Sequence, residues 1–147
     1  NDVPSSITRL QNMGTPNYLI SAALSLIMAQ RLARKNCPEC AVIDENVTPK
    51  LLNSIGFLPE QSARAKIYKG KGCDQCGNSG YKGRMGIYEI LEIDKELKQG
   101  ILSDLSQVEL NSIAKKNGFK TMQQMGHDLL LSGDLSFSEY ERVLQSN

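Results

Sequence analysis

Hydrophobic positions fall into three regimes along the chain. From residue 1 to residue 13 apolar side chains recur at helical spacing, with Ile7, Leu10 and Met13 on one face, and Gly14 closes the segment. Thr15-Pro16 then supplies an N-cap and a proline suited to the first helical position. The helix it opens is apolar on nearly every side through Met28. Its most apolar run, Tyr18 to Ala29 ("YLISAALSLIMA"), has about a dozen residues where a membrane-spanning helix needs roughly 20, so the pattern predicts a buried helix. At Gln30 to Lys35 ("QRLARK") the pattern turns to alternation and predicts extended chain.

The middle of the chain reads differently. Thr48-Pro49 begins a short helix carrying Leu51, Leu52 and Ile55, and Gly56 ends it. Lys66 to Lys69 ("KIYK") and Arg84 to Ile93 ("RMGIYEILEI") predict short strands, with Ile87, Tyr88, Ile90, Leu91 and Ile93 suited to a half-buried sheet. Glycines at 70, 72, 77, 80, 83 and 86 interrupt whatever lies between. After Asp94 the chain is expected to be helical. Ser106-x-x-Glu109, Thr121-x-x-Gln124 and Ser136-x-x-Glu139 fit the capping box, in which the cap hydroxyl and the third side chain satisfy each other's free N–H groups. Leu105 with Leu110 and Leu135 with Tyr140 supply hydrophobic staples, and Gly118 and Gly133 stand where helices should stop. The fold class is therefore mainly α with a small β component.

The 147 residues suit one ordinary core, and 17 Lys plus Arg against 16 Asp plus Glu leave a formal charge of +1. No global field attracts nucleic acid or an anionic membrane, so any electrostatic role is local. Locally, Arg64, Lys66, Lys69, Lys71, Lys82 and Arg84 face only Asp74 between residues 64 and 84, and Arg31, Arg34 and Lys35 precede residue 37. These cations either keep loops soluble and offset a thiolate centre, or meet an anionic partner, nucleic acid or an acidic surface on a neighbouring subunit. No interleaved aromatics offer base stacking, so nucleic acid is not the expected partner. The chain starts at Asn1 without an initiator Met or an apolar leader and reads as a fragment, not a secreted precursor.

All four cysteines occur as C-x-x-C: Cys37-Pro38-Glu39-Cys40 and Cys73-Asp74-Gln75-Cys76, with 32 residues between the pairs. A C-x-x-C turn points two thiolates at one metal, and two turns complete the tetrahedron that zinc prefers. The gap exceeds that of a simple zinc ribbon, but the helix expected near residue 50 can fill it. The competing chemistries are a redox pair, which wants a C-x-x-C opening an amphipathic helix after a strand, and an iron–sulfur cluster. Four Cys ligands leave no open coordination position, so a bound zinc would be structural.

Little points to catalysis. There is no G-x-x-x-x-G-K-[ST] loop, because "GKGCDQCG" puts cysteines where a helix N-terminus is needed. His127, the single histidine, lacks an evident nucleophile partner and suits a surface or capping role. Glu89 and Glu92 read as the solvated face of a strand. No catalytic and no cofactor-binding residue is assigned, and the fragment alone is expected to be inactive.

"QRLARKNCPEC", followed some thirty residues later by "GCDQCGNSGYKGRMGIYEIL", resembles the C-terminal region of the type IV pilus assembly ATPases and their relatives, the type II secretion ATPases. The opening "NDVPSSITRLQNMG" is similar to the segment after that family's histidine box. The resemblance implies a hexameric ATPase of RecA-like α/β fold whose phosphate loop, acidic boxes and histidine box lie upstream of Asn1. It implies that Cys37, Cys40, Cys73 and Cys76 are the tetracysteine zinc ligands, with Gln30-Arg31-Leu32 leading in and Gly83-Arg84-x-Gly86-Ile87-x-Glu89 leading out. ATP and Mg2+ would be bound by the intact parent and not by this fragment alone.

The implied segments are a remnant of the ATPase core at 1–36, a zinc lobe with short strands at 37–93 and a helical subdomain at 94–147. The implied partners are neighbouring subunits of a homo-hexamer and the inner-membrane platform protein, and the implied place is cytoplasmic, at a bacterial inner membrane. "LSLIMAQRLARK" sits nearer the pilus extension motors than the secretion branch. Retraction motors lack the cysteines and carry a helix motif that "DKELKQGILSD" does not reproduce. Arg9, Arg31 and Arg34 are candidates to reach a nucleotide or a neighbour, against the simpler reading of salt bridges and solvated faces.

Overall fold

The computed structural model describes residues 3–145. In chain order it contains α1 (Ser5–Asn12), α2 (Asn17–Ala23), β1 (Leu26–Asn36), β2 (Ala41–Ile43), α3 (Pro49–Ser54), α4 (Pro59–Arg64) and β3 (Tyr68–Gly70). A 3-10 turn at Asp74–Cys76 then leads to β4 (Tyr81–Glu92), α5 (Lys95–Leu102), α6 (Gln107–Lys116), α7 (Met122–Ser132), α8 (Phe137–Tyr140) and a π turn at Glu141–Gln145. The chain is mainly helical with a small β component, as the pattern predicts. β1 pairs with β4, and β2 pairs antiparallel with β3, Val42 lying opposite Lys69.

Two compact units draw on separated stretches: 1–30 with 88–121, and 31–87 with 122–147. In the first, α1, α2, α5 and α6 bury Val3, Ile7, Ile20, Leu97, Ile101, Leu110 and Ala114 together with Leu91 and Ile93. Gly100 lets α5 come close to α6, since a Cβ there would meet Leu110 Cδ2 at 3.0 Å. In the second, Leu52, Phe57, Ile67, Ile87, Leu130, Leu135, Phe137 and Tyr140 are buried. Gly126 allows α7 to meet the last turns, because a Cβ would lie 2.4 Å from Leu144 Cδ1.

The expected first helix is present as Ser5–Asn12, with Ile7 buried and Leu10 partly so; residues 1 and 2 lie outside the described residues. Met13 is not on its buried face but 73% exposed. The larger correction concerns the apolar run. The helix after Pro16 stops at Ala23, Leu24 is extended, and Leu26 already begins β1. Leu26, Met28 and Leu32 point outward at alternate positions and are each more than half exposed, while Ile27 and Ala29 pack against the core. Leu26 to Ala29, apolar at every position, fits a strand with two apolar faces as well as a buried helix, and periodicity alone does not separate the two.

Several other expectations hold. Thr48 caps α3, its hydroxyl accepting from Leu51 N at 3.2 Å, and Gly56 follows with φ of +107°. Gly118 and Gly133 end α6 and α7 in the left-handed region that glycine tolerates. The capping box at Ser106 is complete, with Glu109 Oε2 accepting from Ser106 N at 2.8 Å.

Candidate metal centre

Each cysteine pair is placed by a different local device. Cys37 follows directly on β1, where Asn36 is 4% exposed. The Asn36 side-chain amide donates to Tyr68 O at 3.1 Å and Gly133 O at 2.9 Å, and its backbone N–H donates to Asp134 O at 2.8 Å. That anchor fixes where the first pair begins. Cys37 N donates to Gly80 O at 2.9 Å, tying the first pair to the segment after the second, and Lys71 N donates to Cys40 O at 3.1 Å. Cys73 caps the 3-10 turn Asp74–Cys76, which leaves through Gly77 and Asn78, both left-handed.

Close backbone approach explains two of the glycines around the site. A Cβ on Gly70 would lie 1.9 Å from Gly80 O, and one on Gly80 would lie 2.4 Å from Gly70 O. No side chain fits at either position, so two backbone segments meet here directly.

The four thiols converge, all lying within 4.8 Å of one another. Cys37 Sγ to Cys73 Sγ and Cys40 Sγ to Cys76 Sγ are each 3.9 Å, and Cys73 Sγ to Cys76 Sγ is 3.7 Å. A zinc tetrahedron with Zn–S near 2.3 Å has S···S edges of about 3.8 Å. A disulfide needs about 2.05 Å, so these spacings match shared coordination and not a bridge. Cys37 and Cys40 are buried, whereas Cys73 and Cys76 are partly exposed.

Backbone donors point at the sulfurs: Gly72 N to Cys40 Sγ at 3.3 Å, and Cys73 N and Gly80 N to Cys76 Sγ, each at 3.2 Å. Such donors favour the thiolate. As free thiols the two respond differently. Burial pushes Cys40 up to about 11. At Cys76 burial acts the same way but the Cys73 and Gly80 N–H groups outweigh it, bringing that thiol down to about 6. The set can therefore bind one metal ion, with Cys76 already favouring its ligand form.

The remaining candidates are placed less chemically. Arg64, Lys66, Lys71, Lys82 and Arg84 are exposed, and Lys69 pairs with Asp44 at 3.4 Å. Arg9 lies exposed in the last turn of α1, and Arg31 Nη1 donates to Val143 O. His127 is not a surface residue, but the capping half of the expectation holds, because its ring meets the carbonyl of Ile55, the residue that ends α3. It is partly buried between Phe57 and Tyr140, with ring centroids at 4.5 and 5.7 Å, and its Nε2 lies 2.9 Å from Ile55 O. Burial lowers its pKa. Glu89 is not on a solvated face either: it is 4% exposed and accepts from Val3 N at 2.7 Å, whereas Glu92 is exposed.

One constellation escaped sequence reasoning. Ser136 does cap α8, accepting from Glu139 N at 3.2 Å, but Glu139 does not reciprocate. Its carboxylate is fully buried and accepts from Arg34 N at 2.8 Å, Arg34 Nη2 at 2.8 Å and Arg142 Nε at 2.9 Å, with Arg142 Nη2 on its other oxygen. Arg34 also stacks over Tyr81 at 4.1 Å. Burial would raise the Glu139 pKa, but the two guanidiniums outweigh it and hold it at about 2. The Ser-x-x-Glu spacing hid this role by fitting a capping box.

Comparison with known proteins follows the same residues. Type IV pilus assembly ATPase PilB of Thermus thermophilus is 38% identical over 139 residues, covering 95% of this chain and 16% of that protein. Type IV pilus assembly ATPase TfpB of Acinetobacter baylyi is 40% identical over 148 residues, 98% of this chain and 24% of that protein. Type II secretion system protein E of Aeromonas hydrophila is 30% identical over 150 residues, 100% of this chain and 28% of that protein. The chain thus spans between about a sixth and rather more than a quarter of the length of these relatives. A family model described as Type II/IV secretion system protein matches residues 1–142, and the chain belongs to that family.

Proposed function

We propose that this chain is the C-terminal, zinc-containing part of a hexameric secretion-type ATPase that powers type IV pilus assembly. The observation that carries the reading is the four-thiol cluster at tetrahedral spacing, in a chain that belongs to the family. Cys37, Cys40, Cys73 and Cys76 would hold the zinc, which supplies a structural cross-link and no open position for chemistry. The pilus branch is favoured over type II secretion because five relatives named for pilus assembly are 35–40% identical and three named for type II secretion are 30–33%.

In this reading residues 1–36 complete a RecA-like core, 37–93 form the zinc lobe and 94–147 the helical subdomain. The outward apolar positions Leu26, Met28 and Leu32 suit burial against further protein. ATP and Mg2+ belong to the intact parent; no residue of this chain is assigned to them. The zinc lobe passes nucleotide-driven movement to neighbouring subunits and to an inner-membrane platform through the exposed cations at 82 and 84. Among the described residues no helix is long and apolar enough to cross a membrane, so a peripheral place at the inner membrane is part of this proposal.

Two measurements test the reading. Metal analysis of the purified chain is expected to give one zinc per chain, lost in Cys37→Ser; a metal-free chain of the same stability overturns the zinc assignment. In the intact ATPase, Lys82→Glu with Arg84→Glu is expected to weaken hexamer assembly or stimulation by the platform. Unchanged hexamers and unchanged pilus output overturn the coupling role. A separate nucleic-acid module predicts salt-dependent RNA or DNA binding by this chain alone, and this reading predicts none.

A further inference from the structure

The four sulfurs of the metal centre differ in what reaches them. Cys37 and Cys40 are buried, whereas Cys73 and Cys76 lie partly exposed on a turn whose neighbouring residues Asp74, Gln75 and Gly77 face solvent. A small polar oxidant arriving from water therefore meets the second pair first.

Backbone donors separate the sulfurs further. Cys40 Sγ accepts from Gly72 N, and Cys76 Sγ accepts from both Cys73 N and Gly80 N. Among the described residues no N–H donor reaches Cys73 Sγ, whose near partners are Cys76 Sγ at 3.7 Å and Cys37 Sγ at 3.9 Å. Sulfurs that share a metal are all thiolates, so access and nucleophilicity decide which one reacts. An N–H donor stabilises the thiolate charge and makes that sulfur a poorer nucleophile. Cys73 alone combines access with freedom from such a donor.

We propose that Cys73 is a site of oxidation by peroxide and that Cys76 resolves it, closing the second C-x-x-C pair to a disulfide and releasing the metal. This rests on the zinc assignment made above. In the first step Cys73 Sγ attacks one oxygen of hydrogen peroxide: an S–O bond forms, the O–O bond breaks, and the departing hydroxide takes a proton from solvent. The Cys76 thiolate then attacks the Cys73 sulfur. An S–S bond forms, the S–O bond breaks, and a second hydroxide leaves and is protonated. The two sulfurs together lose two electrons, and the peroxide is reduced to two waters. Cys76 is the resolving partner because it shares the turn and its sulfur is already 3.7 Å away. Cys37 and Cys40 remain as half of the four-ligand set that structural zinc needs. A thiol reductant opens the bridge and restores the site.

The test treats the zinc-loaded chain with one molar equivalent of hydrogen peroxide beside a chromogenic zinc indicator, followed by alkylation and peptide mapping without reduction. Cleavage after Lys35, Lys50, Lys71 and Lys82 puts each cysteine pair in its own peptide. One zinc per chain is expected to appear in solution, with Cys73 and Cys76 bridged and with Cys37 and Cys40 alkylated. Dimedone present during oxidation should trap Cys73 and reduce the yield of the bridge, and dithiothreitol with added zinc should restore the metal content. Zinc retained under peroxide, or a bridge that includes Cys37 or Cys40, overturns the oxidation site and leaves the metal assignment intact. A dimedone adduct on Cys76 in place of Cys73 overturns the order of attack. A chain that holds no zinc before peroxide overturns the metal reading and the release with it.

Discussion

Replacing Glu139 by Gln removes one buried charge and keeps the shape of the side chain. The carboxyl's ordinary value of 4.5 falls to about 2 in the folded chain. A drop of that size corresponds to about 3 kcal/mol of folding stability at neutral pH. The figure is an upper value, because Arg34 and Arg142 are half exposed and solvent screens their attraction. We expect Glu139→Gln to lose about 2 to 3 kcal/mol at pH 7, measured by urea unfolding. The sign of the pH dependence follows from the depressed value. The carboxylate's stabilisation is complete above 4.5 and disappears as pH falls through 2. The gap between parent and variant should therefore stay constant from pH 7 to about pH 5, then narrow steadily towards acid. A gap that persists unchanged to pH 3 would assign the loss to packing and refute the electrostatic account. Equal stabilities at pH 7 would show that the two ion pairs contribute nothing net.

Three further outcomes are expected. Gly80→Ala should cost more than about 2 kcal/mol in chemical unfolding, since Gly80 has φ of +79° and an added Cβ would lie 2.4 Å from Gly70 O; a loss under about 0.5 kcal/mol would contradict the backbone contact. Ser106→Ala removes a complete capping box and should cost about 1 kcal/mol by the same measurement, with Ser106→Gly costing less. Stripping metal with a chelator should lower the melting temperature and raise hydrogen exchange at the amides of Gly72, Cys73 and Gly80, which donate to the sulfurs, while leaving those of α5 and α6 unchanged.

Much of the centre was legible in the chain because the signals were local. Two C-x-x-C turns name the four thiols that converge, and glycines packed around the second pair announce tight backbone approach. The helix starts at Thr48 and Ser106 and the stops at Gly56, Gly118 and Gly133 rest on hydrogen bonds and dihedrals within a few residues, so they survive translation into structure. β1 was legible only in its second half: Gln30 to Lys35 alternates and reads as extended, whereas Leu26 to Ala29 is apolar at each position and carries no period, and pairing with β4 decided it. Glu89, Glu92 and His127 looked like surface groups, and two of the three are buried or partly so; Glu139 looked like a helix cap and is buried under two arginines.

What the sequence by itself determined is therefore whatever a short window of chain can satisfy: caps, turns, glycine stops and the identity of the four thiols. Tertiary structure alone decided which polar groups left water, because a buried carboxylate is tolerable only where distant donors reach it. Glu139 found Arg34 across 105 positions and Asn36 found Gly133 across 97, and no local pattern encodes a partner at that distance.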